Sequence, residues 1–212
     1  MKAVGFTHYL PVEDTNAFLD LEIDKPAPKG HDILVAVKAV AINPVDTKVR
    51  APKDKVEDQA RIIGYDASGV VEAVGSEVTL FKPGDEVYYA GDITRSGTNA
   101  EFHLVDERIV GRRPASLSHA EAAALPLTTI TAYEAFFDRL GIDRDGADGG
   151  QSILIIGAGG GVGSIGIQLA KLAGLKVLAT ASRPETSAWV QELGADHVVK
   201  HRADMVAQIR AL

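Results

Sequence analysis

The segment from Ser152 to Ser164, SILIIGAGGGVGS, constrains this chain more than any other. Ile153 to Ile156 are aliphatic without a break, as in a strand covered on both faces. Glycines follow at once, and Val162 to Ala173 repeats apolar residues at helical spacing. A strand that hands over to a helix through glycine leaves backbone N–H groups bare at a helix N-terminus. A Cβ would block close approach there, and the helix dipole adds partial positive charge. The turn is therefore a cradle for phosphate. A glycine run alone also fits a ligand-free turn, and the flanking strand and helix are what favour the cradle. Two registers are present: Gly157, Gly160 and Gly163 as GxxGxxG, and Gly161, Gly163 and Gly166 as GxGxxG. The first is preferred because Gly157 stands where the strand ends. The expected contacts are Gly157, Gly160, Gly161, Val162 and Gly163.

The pattern then repeats. Lys176 to Thr180 reads as a strand, and Ser182-Arg183-Pro184-Glu185 caps a helix running to about Leu193. His197 to Val199 reads as a third strand, and Ala203 to Leu212 as a third helix. Strand and helix alternating in this way imply a parallel sheet with right-handed crossovers. This is the first β-α-β-α-β half of a Rossmann-type dinucleotide fold, which in full uses two such halves. NAD sites carry Asp or Glu at the end of the second strand to bond the ribose hydroxyl. Here that stretch is Ala179-Thr180-Ala181-Ser182-Arg183-Pro184. Ser182 offers a hydroxyl and Arg183 a planar cation, both suited to a 2′-phosphate, so NADP(H) is the expected cofactor. Glu185, close by, keeps NAD open, and Ser182 has the simpler reading of a helix cap.

The first half of the chain has the other period. Lys2 to Phe6, Ile33 to Ile42, Gly69 to Gly75, Glu86 to Ala90 and Ala100 to Val105 read as short strands. Lys82-Pro83-Gly84-Asp85 suits a type II turn. Such spacing fits a barrel or sandwich. Ser118-His119-Ala120-Glu121 is a capping box opening an Ala-rich helix that Pro126 ends. Thr128 to Leu140 reads as a further helix, with Gly141 just past its end.

Several motifs resemble the medium-chain dehydrogenase/reductase superfamily. Gly64-Tyr65-Asp66-Ala67-Ser68-Gly69, then five residues, then Gly75, is similar to that family's G-H-E signature. Asn43-Pro44-Val45-Asp46, Lys82 to Asp85, Leu125 to Thr129 and Leu193-Gly194-Ala195-Asp196 fit in family order. The resemblance implies a GroES-like, partly open catalytic β-barrel over residues 1–120 and a partial nucleotide-binding domain over 121–212. It departs from the zinc branch: Asn43 stands at the first Cys ligand, Tyr65 at the His, and the third ligand is replaced near Leu127. The chain has no cysteine and its six histidines form no ligand-like cluster. Zinc sites depend on such thiolates and imidazoles, so no metal is expected. What remains resembles the quinone oxidoreductase branch, including zeta-crystallin-like proteins and enoyl reductases, which use NADPH to reduce quinones or α,β-unsaturated carbonyls.

That likeness fixes the candidate catalytic residues. Without a Lewis acid, charge growing on the substrate oxygen needs hydrogen-bond donors, a proton relay or a delocalising substrate. Asn43, Asp46 and Tyr65 are the candidates, Lys48 and Arg50 can add positive charge, and Thr131 resembles a threonine beside the nicotinamide. Each has a plainer reading, as turn, cap, core or helix residue. Three other functions stay open: a zinc-type alcohol dehydrogenase-like enzyme, a non-catalytic NADPH-binding protein, and a partial domain stabilised by self-association, with homodimers in view. The net charge of −7 disfavours nucleic acid and anionic membrane as partners, and no apolar run is long enough to span a bilayer. The chain reads as a cytoplasmic protein.

Overall fold

In the computed structural model all 212 residues are described, and they fall into two units, Met1–Leu127 and Thr128–Leu212. In the first, β1 (Lys2–Tyr9), β2 (Leu19–Glu22), β3 (Asp32–Ala41), α1 (Pro44–Arg50), β4 (Lys53–Ile62) and β5 (Asp66–Val74) are followed by β6 (Glu86–Ala90), β7 (Phe102–Asp106), β8 (Val110–Arg112) and α2 (His119–Ala123). The strands make two antiparallel sheets, ordered β7-β3-β5-β6-β8 and β2-β1-β4. Inward side chains of the larger sheet, among them Ile33, Val35, Val71, Val87 and Val105, form one core, and Phe6, Tyr9 and Ile63 form another. The expected turn at Lys82–Asp85 is present: Gly84 has φ +91° and the Asp85 N–H reaches the Lys82 carbonyl at 3.1 Å.

The pairing of β3 with β5 sets up the site. Ala41 is registered against Asp66, which brings the residues just after β3 beside the first residue of β5. β2, α1, β4 and β8 have no counterpart in the sequence reading. β4 is KDKVEDQARI, too charged to show a strand period, and it pairs only with β1.

The second unit begins within α3 (Pro126–Tyr133), which continues as a π-helical turn, Glu134–Arg139. Pro126 therefore opens a helix instead of ending one. A proline's missing N–H is harmless in a first turn, and α2 has already stopped at Ala123. The predicted helix end holds, with Gly141 at φ +69°. β9 (Ser152–Ile155), α4 (Gly161–Leu172), β10 (Lys176–Thr180), α5 (Pro184–Glu192), β11 (His197–Val199) and α6 (Met205–Arg210) complete the unit. The sheet is parallel, ordered β11-β10-β9, as the alternation predicts. Its core joins Ile155, Ile167, Ala170, Val177, Ala179 and Val190. No helix is long and apolar enough to cross a membrane.

Candidate functional site

The cradle forms because each glycine does something a larger residue would obstruct. Gly157 turns the chain out of β9 at φ +68°, a conformation that L side chains rarely adopt. Its N–H donates to the Thr180 hydroxyl at 2.9 Å, which pins the turn to the end of β10. Gly160 caps α4 in extended conformation, and the first helical bond runs from Ser164 N–H to the Gly160 carbonyl at 2.8 Å. The N–H groups of Gly161, Val162 and Gly163 are thus first-turn donors with no intrahelical acceptor. A Cβ on Gly163 would stand 2.5 Å from the Ala158 Cα and 2.7 Å from the Gly157 carbonyl oxygen, so α4 packs against the turn only with glycine there. These roles match the GxxGxxG register.

A concavity of about 670 Å³ opens beside the turn, lined by Gly157, Gly160, Ser182, Arg183, His201 and Arg202 among others, and by no carboxylate. Glu185 is outside that lining. Ser182 does not cap α5. Arg183 holds the N-cap position without a side-chain bond, because Pro184 already fills the first helical position with its preset φ. The Ser182 hydroxyl lies instead 3.1 Å from His201 Nδ1. His201 is expected from sequence only as one of six unclustered histidines, and Arg202 not at all: they follow β11, and no spacing rule links that loop to the end of β10. Thr131 lines a second concavity, of about 490 Å³, together with Gly160, Gly161, Val162 and Gly163.

In the first unit Asn43, Asp46 and Asp66 form one buried network. Asn43 is the N-cap of α1, with Pro44 behind it and Asp46 in the first turn. The Asp46 carboxylate accepts the Asn43 N–H at 2.8 Å and the Gly64 N–H at 3.0 Å. The Asn43 Nδ2 donates to Asp66 Oδ2 at 2.8 Å. The other Asp66 oxygen accepts the Leu127 N–H at 2.9 Å. Burial pushes the Asp66 carboxyl up to about 6, against the hydrogen bonds from Asn43 and Leu127, and the nearby Asp46 charge adds to the rise. Asp66 was missed from sequence. The signal lay in the G-H-E-like motif itself, whose third position it fills.

Tyr65 is buried, and that burial raises its hydroxyl above the ordinary phenol range, with Arg61 opposing. Lys48 is exposed and outside the network. Arg50 is buried at the end of α1. The donors at the zinc-ligand positions do not suit zinc. Asn43 offers an N–H to a carboxylate, Tyr65 is a protonated phenol, and both Asp66 oxygens are engaged. No group of three or more His, Cys, Asp or Glu is arranged so that it could hold a metal ion.

Residues 29–128 match the family described as alcohol dehydrogenase GroES-like domain, and residues 161–212 the family described as zinc-binding dehydrogenase. Over 211 residues the chain is 49% identical to a zinc-type alcohol dehydrogenase-like protein of Staphylococcus aureus, covering 99% of this chain and 62% of that protein. A 2-methylene-furan-3-one reductase of Solanum lycopersicum is 41% identical over 95% of this chain and 52% of its own length. Among solved structures, one described as a candidate zinc-dependent alcohol dehydrogenase of Rhizobium etli superposes with TM-score 0.93 at 58% identity, covering 100% and 62%. The quinone oxidoreductase of Escherichia coli complexed with NADPH superposes with TM-score 0.80 at 27% identity, covering 100% and 62%. The chain thus spans about 62% of the length of the first of these relatives.

Proposed function

This chain belongs to the medium-chain dehydrogenase/reductase superfamily of oxidoreductases, and from that premise we propose that it binds NADPH for metal-free reduction of a quinone or an α,β-unsaturated carbonyl. The observation that carries the reading is the Asn43–Asp66 hydrogen bond of 2.8 Å, standing where a zinc enzyme needs thiolate and imidazole. When bound, the reduced cofactor supplies a hydride.

The chain's own residues supply the rest. The N–H groups of Gly161, Val162 and Gly163 hold the pyrophosphate at the start of α4, and Gly157 and Gly160 keep the approach open. Ser182 and Arg183, with Arg202, hold the 2′-phosphate by charge-assisted bonds. Thr131 faces the same glycines from α3. Asn43 Nδ2 carries two hydrogens. Asp66 engages one, which fixes the amide plane, and the second is the donor we assign to the substrate oxygen. Asp46 positions Asn43 through the backbone and does not touch substrate. Tyr65, kept protonated by its burial, is a second donor. Quinones and enones spread the incoming charge over a conjugated system, so they need least help from such weak donors. The 2-methylene-furan-3-one reductase and the NADPH-bound quinone oxidoreductase among the relatives are consistent with this substrate class.

The test is calorimetric titration of the chain with NADPH and NADH, followed by NADPH consumption with menadione as acceptor. NADPH is expected to bind at least tenfold more tightly than NADH, and menadione to drive its oxidation in the whole protein. Equal or tighter binding of NADH by the folded chain would overturn the cofactor assignment.

A further inference from the structure

Arg50 is 7% exposed and makes no ion pair. Its Nη1 donates to the Leu10 carbonyl at 2.6 Å, but Nε and Nη2 are buried without any hydrogen-bond partner. The guanidinium lies 4.9 Å from the Phe18 ring centroid and 5.4 Å from that of Phe6. Aromatic faces attract a cation but accept none of its in-plane hydrogens. A buried cation with two orphan donors is costly, and such groups are retained where a partner arrives to meet them.

Arg50 also lines a cleft of about 610 Å³, with Val12, Phe18, Ile42, Pro52 and Ile63. Val12 is 70% and Ile42 81% exposed. Exposed aliphatics around a buried, unpartnered guanidinium call for a ligand that is apolar at one end and anionic at the other. Two carboxylates also line the cleft. Asp46 is engaged by the Asn43 and Gly64 N–H groups. Glu13, on the exposed rim, forms no ion pair with Arg50.

We propose that this cleft binds a small apolar carboxylate. Its two oxygens take the parallel Nε–H and Nη2–H edge of Arg50, and its hydrocarbon body lies on Val12, Phe18 and Ile42. Guanidinium and carboxylate match in this bidentate way as no neutral carbonyl does. Both nitrogens are closed to solvent, so the half-exposed Phe18 ring shifts to admit the ligand. Only the identification of this ligand as the substrate's acid group rests on the reductase reading. The binding itself needs no cofactor.

The experiment is a titration of the 212-residue chain with trans-cinnamate and with trans-cinnamide, a neutral analogue of nearly the same shape, followed by the arginine Nε–H resonances. Cinnamate is expected to shift the Arg50 signal and to bind at least tenfold more tightly than cinnamide. Arg50→Lys should reduce that preference several-fold, since an ammonium keeps the charge but offers no fork. Glu13→Gln should leave cinnamate binding unchanged or tighter. Should Arg50→Lys fail to fold, Ile42→Trp, which narrows the cleft from its exposed rim, should weaken both ligands while the Arg50 signal persists. Equal affinity for the two ligands, or an Arg50 signal unmoved at saturation, overturns the proposal. NADPH titrated into the same sample separates that result from failure of the cofactor reading, because the glycine turn lies in the other unit.

Discussion

Asn43 and Asp66 hold each other across the ends of two paired strands, amide to carboxylate at 2.8 Å, and the acid is fully buried. Its carboxyl is raised to about 6 mainly by that burial, so the folded state favours the protonated form relative to an unfolded chain. The sign follows from linkage. The stabilisation from a raised acid is complete below the unfolded value of 3.8 and is lost as pH climbs through about 6. A shift of this size corresponds to roughly 2 to 3 kcal/mol. Urea unfolding of the wild type and Asp66→Asn between pH 4 and 8 should show the wild type's advantage shrinking up to about pH 6 and flat above it. A constant difference would mean that Asp66 ionises normally.

The three glycines of the turn should fail in different ways. Gly163→Ala drives a methyl to 2.5 Å from backbone and should lower stability most, by about 2 to 3 kcal/mol, as overpacking does. Gly157→Ala keeps its space but must hold φ +68°, a strain of about 1 to 2 kcal/mol. Gly160→Ala meets only the Gly157 carbonyl at 3.3 Å, so its melting point should barely move. Its methyl would still crowd a phosphate, so NADPH affinity should fall at least tenfold. Thermal melts paired with NADPH titrations check the order, and a Gly160→Ala protein that bound NADPH normally would contradict the cradle.

How much of this was legible beforehand depends on how local each signal is. Ile153 to Gly163 declared a strand, a turn and a helix within one stretch, and the parallel sheet followed from repetition of that pattern. Gly84 and Gly141 likewise marked positive-φ positions that only nearby residues determine. β4 was not legible, because Lys53 to Ile62 is a charged strand whose pairing with β1 is decided by residues some fifty positions away. In the site, Asn43 and Asp46 stood out because a capping pattern and a family likeness coincide on them. Asp66 and Arg202 did not. Asp66 matters through Asn43 and Leu127, and Arg202 through the end of β10, partners that only the folded chain brings near.

The cations around the concavity of about 670 Å³ beside the glycine turn should set cofactor choice. Arg183 and Arg202 are exposed and line the same hollow as Ser182, with no carboxylate to receive a bare ribose. Arg183→Ser with Arg202→Ser should weaken NADPH by about ten- to a hundredfold, or roughly 1.4 to 2.8 kcal/mol, and change NADH by less than threefold. The wild-type preference should also shrink with added salt, because exposed charges are screened. If both cofactors weakened equally, the arginines would be acting on the shared pyrophosphate and not on the 2′-phosphate.

Chelation tests the metal-free reading directly. Bound zinc stabilises whatever state holds it, so a chelator lowers the melting point of a zinc protein by mass action. By the family resemblance, Asn43, Tyr65 and a position near Leu127 stand where the zinc branch has its ligands. Asp66, the carboxylate that Asn43 engages, is held by two N–H donors. A metal drawing on Asp66 would have to break both bonds, and the remaining groups supply no thiolate or imidazole to offset that loss. Treatment with 1,10-phenanthroline should therefore shift the melting point by less than a degree and leave NADPH affinity unchanged. Zinc added afterwards should bind no more tightly than to Asp66→Asn. A stoichiometric, chelator-sensitive zinc that vanished in Asp66→Asn would return the protein to the zinc-dependent class and overturn the metal-free mechanism.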